Sequence, residues 1–440
     1  MTQTKKNGSI VAIVTCFFLF AMISFVTNLA APLGNIWKTS YSWAGMWGNM
    51  MNFLAYLFMG IPAGKMLVTK GYKKTSLIAL ALGAIGMLIQ FLSSKVGADV
   101  KVFTAGEDIV SLNFIIYLLG AFICGFCVCM LNTVVNPMLN LLGGGGNKGN
   151  QLVQAGGSLN SLAGTITPLF VGALIGEVTD KTSLSDVAPL MYIAIAVFVV
   201  AFIVISFVNI PNPSERPLGE TKYEHSPWSF RHTVLGVIAI FFYVGIEVGI
   251  PGTLNFYISD PSTKGAGVLN GAAVGGALAA MYWLLMLVGR LGSTVISAKV
   301  SSRTQILTVS SLAIALLLCA ILMPQTIKVS MPGFNISTGF MLVEVPINAL
   351  FLVLCGLCTS VMFGCIFNLA TDGLGKYTEQ ASGIFMMMIV GGGVMPLIQD
   401  AISARAGYIA SYWFVLAMVA YIFFYAIAGY KNVNKDIPVE

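Results

Sequence analysis

Charged side chains are scarce in this chain of 440 residues, at 9% of the total. Ordinary soluble domains carry about 25% charged residues. Hydrophobic residues make up 57% and the mean hydropathy is +0.87, so a soluble globular domain is excluded and a polytopic membrane protein is favoured. The net charge of +6 comes from basic residues in short loops between apolar runs, so it does not indicate a nucleic-acid partner.

Histidine is almost absent, since His225 and His232 are the only two in the chain. The eight cysteines all lie in apolar segments, and two of them, Cys124 and Cys355, open a Cys-x-x-Cys spacing. Without histidine nearby we interpret the cysteines as small packing residues rather than a zinc or redox site. We expect no catalytic residue, no metal site, no cofactor and therefore no enzymatic activity.

Twelve apolar segments are long enough to span a bilayer, which takes about 20 helical residues. The polar connection 210–232 separates them into two sets of six. We therefore predict an all-α membrane protein with an N-terminal six-helix bundle over 1–209, a cytoplasmic linker over 210–232 and a C-terminal six-helix bundle with a short cytoplasmic tail over 233–440. The predicted spans are 10–34, 42–68, 75–93, 110–141, 151–176, 188–209, 233–258, 268–298, 304–323, 340–371, 378–403 and 408–429.

The basic residues predict the orientation of the chain, because cytoplasmic loops carry an excess of Lys and Arg. With the N-terminus inside, fifteen of these residues face the cytoplasm and seven face the other side. We therefore predict a cell inner membrane protein with both termini cytoplasmic. Arg290 remains inside the eighth span, near its predicted cytoplasmic end.

A faint internal repeat relates the two sets of spans. Gly64-Lys65 ends the second span, and Gly289-Arg290 lies near the end of the eighth. GTITPL over 164–169 in the fifth span is similar to GGVMPL over 392–397 in the eleventh, and both matches have nearly the same offset along the chain. This agreement indicates a duplicated six-helix unit, and carriers built in this way bind their solute near the bilayer midplane between the repeats.

Glu247 lies deep in the apolar run 235–257. A charge at the bilayer centre costs roughly 2.5–3.5 kcal/mol on insertion scales, so such a residue normally faces a cavity, a partner or an ion path. We predict that Glu247 contacts the solute or holds a coupling cation. The alternative is a structural acid that forms hydrogen bonds with neighbouring helices.

Four stretches carry a resemblance to a known family: SWAGMWGNMMNFLAYLFMGIPAGKMLVTKGYKKT, FFYVGIEVGIPGTLNFY, YWLLMLVGRLGS and IFNLATDGLGKYTEQASGIFMMMIVGGGVMP. In this order and spacing they resemble the fucose–glucose–galactose symporter family of the major facilitators. The resemblance touches most spans and implies the major facilitator fold, with 12 transmembrane helices in two pseudo-symmetric six-helix bundles.

The resemblance also implies a role for the basic loop that follows the second span. In major facilitators this loop latches the two halves together, although a plain basic cytoplasmic loop is the alternative reading. The expected latch residues are Gly64, Lys65, Lys70, Gly71 and Arg290.

The chain departs from the family at two acidic positions. Proton-coupled members carry an acid in the first and fourth spans, where this chain has Asn28 and Asn132. Asparagine forms hydrogen bonds but cannot carry a proton, so the N-terminal half keeps its polar capacity and loses its titratable groups. Glu247 matches an acid of the glucose/galactose branch and is therefore the expected cation-coupling residue.

We predict a central site of polar side chains with one aromatic platform. Trp283 is the expected platform, because the CH face of a pyranose packs on an aromatic ring. Isolated asparagines can equally serve as hydrogen-bonding residues between helices. The predicted substrate-binding residues are Asn28, Asn132, Asn136, Asn160, Glu247, Asn255, Trp283 and Asn368.

The resemblance implies a secondary active transporter that moves a monosaccharide of the fucose, glucose or galactose type by alternating access. The expected partners are the sugar, a proton or sodium ion as co-substrate and the lipid bilayer, and we expect a monomer. Three alternatives stay open: an uncoupled sugar facilitator, a transporter of another small polar solute, and a membrane sensor that does not transport.

Overall fold

In a computed structural model the described residues are 3–142, 146–175, 184–208, 224–296, 300–335, 339–374, 377–434 and 436–438. Within them the chain is mostly helical, with two β-hairpins, a few short turns of 3₁₀ or π geometry and connecting loops. The helices are α1 (Gln3–Ser40), α2 (Trp47–Ser93), α3 (Leu112–Leu142), α4 (Gly146–Ile175), α5 (Ala188–Phe207), α6 (Arg231–Ser259), α7 (Gly271–Ile296), α8 (Ser302–Leu322), α9 (Ile347–Thr359), α10 (Met362–Thr371), α11 (Thr378–Met387), α12 (Gly391–Ala406) and α13 (Tyr408–Phe424).

Among the described residues, eleven helical stretches are long and apolar enough to cross a membrane. Helix α2 contains two of them, Trp47–Leu67 and Thr69–Ser93, and its backbone leaves helical geometry at Gly71, near the start of the second. The backbone of Gly71 has φ 76° and ψ 173°, a conformation that glycine adopts without steric cost. The predicted fifth span falls on α4. The chain is therefore a multi-pass membrane protein.

The spans differ in how much of their apolar surface is covered by protein. In α7, 72% of the most apolar 18-residue stretch is buried inside the molecule, whereas in α8 the corresponding share is 28%. Helix α7 therefore lies at the centre of the molecule, and α8 presents its apolar side chains to lipid. This arrangement places the polar residues of α7 where a site between helices can use them.

Two antiparallel hairpins interrupt the helical chain. Strand β1 (Lys101–Ala105) pairs with β2 (Asp108–Ser111), and β3 (Lys328–Asn335) pairs with β4 (Gly339–Pro346). Each hairpin follows the third predicted span of its half, and the offset between β1 and β3 is nearly that of the sequence repeat. The hairpins therefore agree with a duplicated unit. We call the end of the helices that carries both hairpins the hairpin face, and the opposite end, where α6 begins, the terminal face.

The predicted limits of the tenth span were wrong at its start. The prediction placed the span at 340–371, but residues 340–346 belong to β4 and the helix begins at Ile347. Exposed and less exposed side chains alternate from Phe340 to Glu344, as the two-residue period of a strand requires. The continuous apolar composition of this stretch concealed that period.

The helices form a first half, α1–α5, and a second half, α6–α13. The halves meet along α4 with α7, α2 with α12, and α1 with α6. Glycines permit the close approach: a Cβ on Gly45 would lie 2.9 Å from the ring of Phe256, and a Cβ on Gly252 would lie 2.6 Å from Cε of Met46. Most of the predicted linker 210–232 lies outside the described residues, so its limits stay a prediction.

Candidate functional site

A cavity lies between the two halves. The first half contributes side chains from α1, from the start of α2 and from α4, and the second half contributes side chains from α6 and α7. Of the described residues that line it, none is charged. The lining residues are Thr27, Asn28, Met46, Asn49, Pro168, Val248, Pro251, Gly252, Asn255, Ala279 and Trp283.

Three of the predicted substrate-binding residues meet in this cavity: Asn28, Asn255 and Trp283. The amide Nδ2 of Asn28 donates to the backbone oxygen of Ser24 at 2.9 Å, which leaves its Oδ1 as an acceptor for a solute. The Oδ1 of Asn255 accepts a hydrogen bond of 2.7 Å from Nδ2 of Asn35. The two amides therefore stand on opposite halves of the molecule and face one space.

Trp283 supplies the aromatic surface of the cavity. Its ring packs edge-on against Tyr282 with 5.9 Å between ring centroids, and 6% of the residue is exposed. A Cβ on Gly164 of α4 would lie 3.1 Å from Cδ2 of this ring, so the glycine leaves the space that the indole occupies. Trp283 of the second half therefore packs directly on a helix of the first half.

Four other predicted substrate-binding residues do not line this cavity. Asn132 donates to the hydroxyl of Tyr56 at 2.7 Å, Asn136 donates to the backbone oxygen of Asn132 at 3.0 Å, and Asn160 donates to the backbone oxygen of Phe20 at 3.3 Å. These bonds stay within the first half. Asn368 lies in α10 with an exposed side chain. A substrate-binding role for these four residues stays a prediction.

Glu247 forms an ion pair beside the cavity. Its Oε1 lies 3.0 Å from Nη2 of Arg290, and each side chain is 15% exposed. Nη1 of Arg290 donates to the backbone oxygen of Gly157 at 3.0 Å and to Oγ of Ser161 at 2.8 Å, both in α4. Arg290 therefore joins the acid of the second half to the backbone and a hydroxyl of the first half. Val248, the neighbour of Glu247, lines the cavity.

The expected latch residues other than Arg290 lie near the break in α2. Lys65 and Lys70 are exposed, and a Cβ on Gly64 would meet no atom within 4 Å. The hydrogen bonds described for Arg290 go to Glu247 and to α4. The latch stays a prediction.

Sequence reasoning missed a second ion pair, nearer the hairpin face. Nζ of Lys38, in α1, lies 2.5 Å from Oδ1 of Asp400, in α12, and the Asp400 side chain is 2% exposed. The ammonium also lies over the rings of Phe256 and Tyr408, 4.4 and 5.0 Å from their centroids. The apolar surroundings of Asp400 in the sequence were the available signal, but its partner lies 362 residues away.

The cavity thus lies between two sets of polar contacts that cross from one half to the other. Arg290 with α4 forms the set on the side of the terminal face. Asn35 with Asn255, and Lys38 with Asp400, form the set on the side of the hairpin face. The amide groups and the aromatic ring of its lining suit a small uncharged polar solute that has one apolar surface. The eight cysteines are free thiols, and all but Cys319 are buried.

Comparisons with known proteins bear on this arrangement. The chain matches the family model of the Major Facilitator Superfamily over residues 12–396. The glucose/galactose transporter of Brucella abortus biovar 1 (strain 9-941) is 29% identical over 440 aligned residues, which cover 98% of this chain and 97% of that protein. The L-fucose-proton symporter of Escherichia coli (strain K12) is 23% identical over 437 residues, covering 93% of this chain and 90% of that protein.

A crystal structure of a variant of the Escherichia coli fucose:proton symporter matches the fold. The TM-score is 0.65 at 20% sequence identity, and the match covers 95% of this chain and 98% of that chain. At this identity the match shows the fold alone. It confirms the predicted fold class, and together with the family match it confirms the resemblance stated from the sequence.

Proposed function

The chain belongs to the Major Facilitator Superfamily, and from that premise we propose that it carries a monosaccharide of the glucose, galactose or fucose type across the bacterial inner membrane by alternating access. The relatives named above carry glucose/galactose or fucose in their names, and they align over nearly the whole chain. Both termini lie in the cytoplasm in this proposal, so that the hairpin face is periplasmic.

The cavity between the halves is the observation that carries the proposal. Asn28 and Asn255 offer amide groups, which donate and accept hydrogen bonds as sugar hydroxyls do. Trp283 offers a flat apolar ring to the CH face of a pyranose. Because each half contributes a wall, rocking of one half against the other exposes the same site first to one side of the membrane and then to the other.

Proton coupling in this proposal uses Glu247 and Arg290. Asn28 and Asn132 stand where proton-coupled members of the family carry acids, so Glu247 is the titratable group beside the cavity. Proton binding to Glu247 neutralises the carboxylate and removes the electrostatic attraction to Arg290. The guanidinium keeps its bonds to α4 but loses this attraction, so the contact between the halves changes as the proton binds.

A second candidate is an uncoupled facilitator, and one observation favours it. Arg290 already neutralises Glu247 in this structure, and the two asparagines cannot take up a proton. In that case the ion pair holds the halves together throughout the cycle, and the sugar equilibrates across the membrane.

Uptake of labelled sugar into proteoliposomes tests both candidates. Fucose, glucose and galactose are compared under an inward proton gradient, an inward sodium gradient and no gradient. Accumulation above the external concentration under one gradient supports symport and identifies the ion. Equilibration without accumulation supports the facilitator. No uptake of any of the three sugars contradicts the proposal of sugar transport.

A further inference from the structure

Asn255 is shared between the cavity and the contact that joins the halves. Asn255 lines the cavity, and its Oδ1 accepts hydrogen bonds from Nδ2 of Asn35 at 2.7 Å and from Oγ of Ser259 at 3.0 Å. Asn35 belongs to α1 and Asn255 to α6, so the first bond crosses between the halves. Both amides are buried, with 7% and 1% of the residue exposed. The Nδ2 of Asn255 stays available to a solute.

Asn49 repeats this arrangement from the other half. It also lines the cavity, and its Nδ2 donates to the backbone oxygen of Gly392 in α12 at 2.7 Å. This bond again crosses between the halves, and Oδ1 of Asn49 remains as an acceptor. Asn255 and Asn49 therefore both line the cavity, and each forms a hydrogen bond with the opposite half through one end of its amide.

These two hydrogen bonds lie close to the ion pair between Lys38 and Asp400 near the hairpin face. Lys38 follows Asn35 by three residues on α1, which places both side chains on one side of that helix. Its ammonium reaches Asp400 of α12 and lies over the ring of Phe256, the residue after Asn255. The contacts of Asn35, Asn49 and Lys38 therefore form one group, which we call the gate contacts, between the cavity and the hairpin face.

We propose that Asn255 and Asn49 couple occupation of the cavity to closure of the hairpin face. The inference rests on the proposed function and adds to it two positioning residues. A solute can bind Nδ2 of Asn255 or Oδ1 of Asn49. Either contact holds the side chain in the orientation in which the other end of its amide forms the hydrogen bond with the opposite half. The solute therefore binds the closed state more tightly than the open one, and shifts the population toward closure.

The test uses Asn35→Ala, which removes one gate contact and leaves every residue of the cavity lining in place. Asn35→Ser is a milder version in case the alanine variant folds poorly. Asn348→Ala is the matched control, because Asn348 is a buried amide that donates to the backbone oxygens of Ala320 and Met323 within the second half. Spin labels are attached to cysteines placed at the exposed positions Asp99 and Thr263, one in each half near the hairpin face, after Cys319→Ser.

Distances between the labels are measured by pulsed electron resonance, with and without the sugar that the transport assay identifies. We expect sugar to narrow the wild-type distances toward the closed state. In Asn35→Ala we expect a wider distribution of label-to-label distances without sugar and a smaller change of these distances when sugar is added. We also expect a sugar Kd about threefold higher than that of wild type. That factor corresponds to the ~0.6 kcal/mol average of a hydrogen bond between membrane helices.

The inference is overturned if Asn35→Ala gives the wild-type distances both with and without sugar, or if Asn348→Ala has the same effect as Asn35→Ala. It is also overturned if wild type binds sugar without any change in distance. Failure of the proposed function is a separate outcome, in which wild type binds none of the sugars. In that case the label-to-label distances without sugar test the gate contacts. A wider range of distances in Asn35→Ala than in wild type supports these contacts, and unchanged distances contradict them.

Discussion

The guanidinium of Arg290 lies 3.0 Å from the carboxylate of Glu247, and the same guanidinium holds a backbone oxygen and a hydroxyl of the opposite half. A mostly buried acid that the sequence marks as unusual is therefore part of the contact between the halves. Any change in its charge acts on that contact as well as on the acid itself.

Replacing Glu247 by Gln removes the group that can bind a proton and keeps a polar side chain beside Arg290. We expect sugar to equilibrate in proteoliposomes of this variant without accumulating under a proton gradient. Glu344→Gln is the control, because Glu344 is exposed on β4 and lies outside the cavity. Accumulation in Glu247→Gln equal to that of wild type would refute a coupling role.

Replacing Arg290 by Met leaves the Glu247 carboxylate without its cation. Breaking a buried pair by removing one partner costs about 3–5 kcal/mol, and removing both partners costs much less. We therefore expect Arg290→Met to lower the unfolding temperature in detergent more than the double variant with Glu247→Gln. If the unfolding temperature of the double variant falls by the sum of the falls in Arg290→Met and in Glu247→Gln, the pair is not energetically coupled.

Trp283→Ala removes the aromatic surface of the cavity, and Trp283→Phe keeps a smaller one. We expect the alanine variant to weaken sugar binding by about fivefold to tenfold, since an aromatic contact contributes about 1 kcal/mol beyond the area it buries. Equilibrium dialysis with labelled sugar measures this. Trp228→Ala serves as the control, because Trp228 is 54% exposed outside the cavity. Equal affinity in Trp283→Ala and wild type would exclude the platform.

Gly391→Ala tests the packing of α12 on α6. A Cβ at this position would collide with the backbone oxygen of Phe241, so helix backbones must move apart. Overpacking of this kind typically costs about 1–3 kcal/mol, and we expect a lower unfolding temperature. Gly383→Ala in α11 is the matched control, because its Cβ would meet no atom within 4 Å. Similar losses in both variants would contradict the expectation.

Composition and the lengths of the apolar runs were enough to predict a multi-pass helical membrane protein, because a bilayer restricts a spanning chain to apolar helices of about 20 residues. The major facilitator fold was expected from the resemblance to a known family. Family membership also confirms the prediction that the chain is not an enzyme. The hairpins were missed because their second strands, β2 and β4, lead directly into the following helices. At residues 340–346 the strand β4 was counted as the beginning of a helix.

The site was predicted in part, and the physical reason differs from residue to residue. Asn28, Asn255 and Trp283 were recognised as polar or aromatic groups in apolar spans, and the structure brings them to one cavity. Other asparagines carry the same signal in the sequence but form hydrogen bonds within the first half, namely Asn132, Asn136 and Asn160. Lys38 and Asn49 were missed because their partners lie 362 and 343 residues away, and a single sequence does not reveal which distant positions meet.

The ion pairs of the described residues also bear on the electrical work of a transport cycle. Moving one net charge through 100 mV involves about 2.3 kcal/mol of electrical work. Glu247 and Arg290 both belong to the second half and place one negative and one positive group side by side, so this pair moves as a unit and performs no such work. Lys38 and Asp400 lie on opposite halves, but after a complete transport cycle both have returned to their starting positions, so they add no net work either. A neutral sugar adds none. In the symporter that we propose, the current measured for each transported sugar therefore counts the cations that travel with it.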